Sequence, residues 1–200
     1  MNLSRHLLLA TFLCPLACAG DLDDELGGDA VEPPAEGRVG PHTTSEPRDG
    51  GGQRSTVDAS DEVLWVYFDL ETGTELDVED PGENLQWDLA FRRFHIATNG
   101  GVSGNAGSEV ALLPDPFDDV SGIPDSGFVV DEADGDDDNE DPDYAFRDWY
   151  DYSFMTHVLT PRSQTYVVLT GSGNAFKVAL EHYYDEAGTS GFPAVAWAAL

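Results

Sequence analysis

The run Trp87-Asp88-Leu89-Ala90-Phe91-Arg92-Arg93-Phe94-His95-Ile96 constrains the fold more than any other part of the chain. Trp87, Leu89 and Phe91 recur at a period of two, the spacing of side chains along one face of a strand. Phe94 and Ile96 continue the alternation on the opposite parity, as a β-bulge near Arg92-Arg93 would require. Asn99-Gly100-Gly101-Val102-Ser103-Gly104 follows. Glycine and Asn accept positive φ cheaply, so this loop reads as a tight turn that exposes backbone N–H groups beside a ligand.

Strand patterns continue on both sides. Val63 to Phe68 is dense in β-branched and aromatic residues, which suits a strand covered on both faces. Glu71-Thr72-Gly73-Thr74 and Pro81-Gly82 read as turns around a short strand, Leu76 to Val78. Glu109 to Leu113 and Gly127 to Val130 read as further strands. Tyr166 to Leu169, a Gly171-Ser172-Gly173-Asn174 turn and Phe176, Val178 and Leu180 make a hairpin. Pro193 suits an edge or the first residue of the last strand, because proline cannot donate to a ladder. No segment has the period of a three-turn amphipathic helix. The fold class is therefore mostly β, one domain of antiparallel strands packed as two sheets with little helix.

Residues 1–17 carry a basic start, an apolar run from Leu7 to Leu13 and small residues before Cys18, the layout of a secretory signal peptide. Pro15-Leu16-Ala17-Cys18 resembles a lipobox, with Pro15 where a branched aliphatic residue is usual, so Cys18 is the expected lipidation site. Residues 18–60 are rich in Gly, Pro and Asp and read as a disordered tether; the domain is expected over 61–200. Only Cys14 and Cys18 exist, which leaves the domain without a disulfide. A formal charge of −30, from 39 acidic against 9 basic side chains, argues against nucleic acid and anionic lipid as partners, so membrane association is expected through the anchor alone.

Trp87 to Phe94 and the Asn99-to-Gly104 loop resemble the HmuY family of bacterial outer-membrane haem-binding lipoproteins. The likeness extends to Trp149-Tyr150-Asp151-Tyr152, to His157-Val158-Leu159-Thr160-Pro161 and to the final hairpin from Tyr166 to Gly191. It implies an exported protein at the outer membrane or cell surface, with haem or a similar planar molecule as ligand and an outer-membrane receptor as partner. It implies a binding protein rather than an enzyme, and no nucleophile, metalloprotease or phosphate-loop motif is present.

A haem site needs an apolar slot and an axial ligand, usually His or Met. The loops from which relatives take ligands correspond to residues about 125–155, where this chain has no histidine. His157 and Met155 are the candidate iron donors beside Trp149, Tyr150 and Tyr152, the candidate stacking walls. His157 is alternatively a hydrogen-bonding residue at the start of a strand, and Met155 a core gap-filler. His182 shares parity with Phe176, Val178 and Leu180 and is expected to face the core; His95 is expected to face solvent or a crossing sheet. Arg92 and Arg93 pair either with propionates or with neighbouring carboxylates. Nine of the thirteen residues from Asp131 to Asp143 are acidic, and this segment reads as a solvated loop. Asp134, Asp136 and Asp138 have the opening spacing of a calcium loop, but Asn139 stands at its sixth position and Ala145 at its twelfth. The alternative function is the same scaffold without haem, a surface module for protein, glycan or calcium.

Overall fold

The computed structural model describes residues 37–135 and 141–200. The expected signal peptide, Cys18 and the first part of the expected tether lie outside the described residues, as do Asp136 and Asp138. Among the described residues the regular secondary structure is almost entirely antiparallel strand. The elements are β1 (Thr43–Pro47), β2 (Gln53–Val57), β3 (Val66–Asp69), β4 (Thr74–Leu76), β5 (Leu89–Arg92), β6 (His95–Thr98) and β7 (Glu109–Leu113). They continue with β8 (Phe128–Val129), β9 (Tyr150–Ser153), β10 (Val158–Pro161), β11 (Thr165–Leu169), β12 (Ala175–Tyr184) and β13 (Ser190–Ala199).

A seven-stranded sheet runs β1-β2-β13-β12-β11-β7-β8, and a four-stranded sheet runs β4-β3-β5-β6. Their facing sides enclose the core. Phe68, Leu89, Phe91 and Ile96 from the smaller sheet meet Val57, Val110, Tyr166, Val168, Val178, Leu180 and Val195 from the larger. Burying this apolar area is the main stabilising term for a domain with no cross-link. β9 and β10 form a third, two-stranded sheet.

The tether does not extend to Ser60. β1 and β2 form a hairpin that pairs with β13, from Ala194 against Thr56 to Trp197 against Gln53. Composition misjudged this stretch because its order comes from ladder hydrogen bonds and ion pairs rather than from apolar burial. Arg48 reaches Glu181 at 3.0 Å and Asp118 at 2.7 Å, and Arg54 also pairs with Glu181. The glycines Gly50, Gly51 and Gly52 all have positive φ and turn the hairpin.

Two readings of the last strands are corrected. His182 is exposed, because register shifts on either side of it in β12 break the alternation that Phe176, Val178 and Leu180 establish. Pro193 lies inside β13 rather than at the strand start; it falls in the same irregularity, on the stretch without a partner in β2, pairing to which begins at Ala194. On the outer face of the large sheet, Ala179 and Ala196 leave room for Phe117. The ring of Phe117 lies under the Lys177 ammonium at 4.4 Å and the Arg48 guanidinium at 4.7 Å.

Candidate ligand-binding site

β5 and β6 are joined by a two-residue turn, Arg93-Phe94, with Arg92 opposite His95. The parity change that reads as a bulge is therefore a chain reversal. Arg93 has a φ of 54° and its guanidinium donates to the carbonyls of Ser60 at 3.0 Å and Ser190 at 3.4 Å, and to Ser190 Oγ at 2.9 Å. These bonds hold a non-glycine residue in a region it seldom occupies. Neither propionate nor carboxylate is needed to account for Arg93, whereas Arg92 pairs with Asp141 at 3.0 Å and stacks over Trp65 at 4.6 Å.

The Asn99-to-Gly104 loop is a structural latch, not a ligand cradle. Asn99 is fully buried; its amide donates to the carbonyls of Asn84 and Trp87, and its Oδ1 accepts from Ala106 N–H. A Cβ at Gly101 would stand 1.8 Å from the Asp131 carbonyl, and one at Gly104 would strike Asn99 Oδ1. The glycines permit close packing, and the Val102 N–H is spent on the Asp131 carbonyl at 2.9 Å.

Asp131 is itself buried, although it opens the acidic run. One of its carboxylate oxygens accepts from Thr98 N–H and the other from Ala145 N–H, both at 2.8 Å. This fastens the segment starting at Asp141 beside the end of β6. Burial pushes the Asp131 carboxyl upward, against the two amide hydrogen bonds. Asp143 and Glu132 form a further backbone bridge, so the ends of the acidic segment are structured rather than freely solvated.

Between the β5–β6 turn and residues 141–152 lies a cleft of about 370 Å³. Phe94, His95, Tyr144, Tyr150 and Tyr152 line it, with Arg147 at the rim. Phe94 and His95 rings lie 4.2 Å apart, His95 and Tyr144 5.4 Å, and Phe94 and Tyr150 6.2 Å. Burial pushes the His95 imidazole downward, opposed in part by Asp141, and pushes the Tyr144 hydroxyl up to about 12. A neutral imidazole is the form that ligates metals.

The sequence-predicted residues divide. Tyr150 and Tyr152 line the cleft. Trp149 is 2 % exposed, donates from Nε1 to the Phe94 carbonyl and packs on Tyr183, so it is a floor and core residue rather than a stacking wall. His157 and Met155 lie in the turn of the β9–β10 hairpin. Met155 is 93 % exposed, which excludes a core gap-filler, and Phe154 beside it is 84 % exposed. His157 has a φ of 56°, and its Nδ1 lies 2.6 Å from the Tyr152 hydroxyl. His95, expected to face solvent or a crossing sheet, lies in the cleft instead; a hairpin in place of a bulge turns it there, and neither its residue type nor its parity singled it out.

A second groove of about 730 Å³ runs past His42, Trp65, Tyr67 and Glu75. Its one imidazole, that of His42, pairs through Nδ1 with Glu75 at 2.9 Å and is 49 % exposed, whereas the His95 side chain is 17 % exposed. The first cleft is therefore the stronger candidate for a metal-bearing ligand.

The model of the HmuY protein family matches residues 61–197. Among solved structures, an apo HmuY analog from Tannerella forsythia aligns with 78 % of this chain and 95 % of its own, at 17 % identity and a TM-score of 0.57. A candidate HmuY-like heme binding protein from Bacteroides vulgatus covers 80 % and 94 %, at 20 % identity and 0.54. A candidate lipoprotein from Bacteroides fragilis covers 76 % and 93 %, at 20 % identity and 0.53. No curated protein matches the chain. The structural likenesses establish the shared β scaffold, the sequence match spans the strands that build both the core and the cleft, and the chain belongs to the HmuY family.

Proposed function

We propose that this protein is an exported, lipid-anchored binding protein, not an enzyme, that captures haem or a similar planar ligand in the cleft between Phe94 and Tyr152. The observation that carries this reading is an aromatic-walled cleft, lined by Tyr150 and Tyr152, that adjoins a hairpin tip presenting His157 and Met155. Flat apolar walls bury a porphyrin face, while imidazole and thioether are donors that iron accepts. Bound haem would supply an iron centre that such donors could ligate. The residues present fit that group: Tyr150 and Tyr152 would supply stacking walls, Arg147 of the lining would meet a propionate, and the turn that carries Met155 and His157 follows directly on the strand of Tyr152.

Titrating haemin into the purified domain while following the Soret band tests the reading. Saturable binding that weakens when Tyr150 and Tyr152 are both replaced by Ser supports it. No saturable binding overturns it. In that event the exposed Phe154 and Met155 favour the second reading, a hairpin tip that docks a protein such as an outer-membrane receptor.

A further inference from the structure

We propose that His95 is an iron donor of this cleft and that the Asp141 carboxylate positions its imidazole. The inference rests on the haem reading and adds to it a donor on the cleft wall, beyond those at the hairpin tip.

Three histidines of the domain differ in what surrounds them. His182 is exposed on β12, away from the cleft lining. His157 sits on the exposed hairpin turn, with Nδ1 engaged by Tyr152. His95 is the one imidazole among the residues that line the cleft, and its side chain is 17 % exposed. Its ring lies between those of Phe94 and Tyr144, at 4.2 Å and 5.4 Å. A ring held on two sides has already lost the rotational freedom that ligation would otherwise cost.

Its charged neighbours complete the arrangement. Asp141 Oδ2 is 3.5 Å from His95 Nε2, and Asp141 Oδ1 accepts from Arg92 at 3.0 Å. Arg92 is the register partner of His95 across the hairpin and stacks over Trp65. The carboxylate is thus anchored on one oxygen and directed at the imidazole with the other. A carboxylate on one ring nitrogen selects the tautomer whose lone pair is on the other and raises its donor strength. With Nε2 on the Asp141 side, Nδ1 would be the donor atom. The Tyr152 hydroxyl plays the corresponding part for Nδ1 of His157.

Haemin and metal-free protoporphyrin IX, titrated in parallel into the wild type and the His95→Ala, His95→Gln, Asp141→Asn and His157→Ala proteins, test this. An iron donor matters to haemin and not to the metal-free ring. Both His95 variants are expected to weaken haemin binding by at least about tenfold and to move the Soret band, with protoporphyrin affinity changed by less than about twofold. Free imidazole is expected to restore the Soret position in His95→Ala. Asp141→Asn is expected to weaken haemin binding by about tenfold, in the range typical of groups that orient a ligating histidine. Unchanged haemin affinity and Soret position in both His95 variants overturns the assignment and leaves the haem reading standing. Equal loss of haemin and protoporphyrin makes His95 a packing wall and also overturns it. No saturable haemin binding by the wild type overturns both.

Discussion

The hydroxyl of Tyr152 and Nδ1 of His157 lie 2.6 Å apart across the end of the β9–β10 hairpin. Tyr152 is paired with Leu159 in the ladder, and Phe154 meets its ring edge-on at 5.0 Å. The bond therefore ties a positive-φ turn residue back onto the strand that lines the cleft. Tyr152→Phe keeps the ring and removes the hydroxyl. An exposed hydrogen bond of this kind is worth at most about 1 kcal/mol, so haemin affinity is expected to fall by up to about fivefold, as read from a Soret titration.

The buried Asp131 carboxylate accepts hydrogen bonds from two backbone amides, those of Thr98 and Ala145. Asp131→Ala is expected to cost about 2–4 kcal/mol, because two buried donors lose their partner together. Gly101→Ala is expected to be at least as damaging: its φ is 62° and the new Cβ would meet the Asp131 carbonyl at 1.8 Å. Chemical denaturation of both variants measures this, and a shift of less than about 1 kcal/mol in either contradicts the latch.

Trp87 is 1 % exposed, lies edge-on to Tyr67 at 5.2 Å and donates from Nε1 to the Pro81 carbonyl. Trp87→Ala is expected to cost about 3–5 kcal/mol. An equilibrium unfolding curve that matches the parent would remove Trp87 from the core.

Asp88 gives the domain a pH dependence of defined sign. Burial, with the nearby charges of Asp69 and Glu71, pushes its carboxyl up to about 7, against the hydrogen bond from Leu70 N–H. A raised pKa means that the folded state binds this proton more tightly than the unfolded state. The contribution is full below about pH 4, falls as pH rises and is gone above about pH 7. The wild type is expected to be more stable at pH 5 than at pH 8. Asp88→Asn, which keeps a carbonyl acceptor and cannot ionise, should flatten this difference by an amount on the order of 2–4 kcal/mol. Denaturation midpoints of both proteins at the two pH values check it. An identical pH dependence would place the titrating group elsewhere.

Glu181 joins the β1–β2 hairpin to β12 through Arg48 and Arg54. Glu181→Gln is expected to cost about 1 kcal/mol, since these side chains are partly solvated. The effect is expected to concentrate in β1 and β2, as faster amide exchange there than in β11 or β12.

Much of the scaffold is legible in the sequence. Period-two runs marked β7, β11 and the start of β12, and the absence of helical periodicity set the fold class. The order of motifs from Trp87 to Gly191 identified the family. Tyr150 and Tyr152 stand out in the sequence as aromatic side chains beside a candidate donor, a local signal, and both line the cleft.

What remained was decided by tertiary structure, for specific reasons. A hairpin reversal and a bulge leave the same parity mark in sequence, so only the pairing of Arg92 with His95 turned the imidazole into the cleft. β1 and β2 are ordered by a neighbour more than a hundred residues away, through backbone bonds to β13 that no side-chain pattern encodes. His182 was turned outward by the register shifts in β12, and Asp131 was drawn inward by two amides that the fold alone brings to it. Local side-chain pattern therefore determined which strands form. Hydrogen-bond pairing between distant segments decided which side chains meet, because a backbone donor or acceptor is chemically the same at almost every residue.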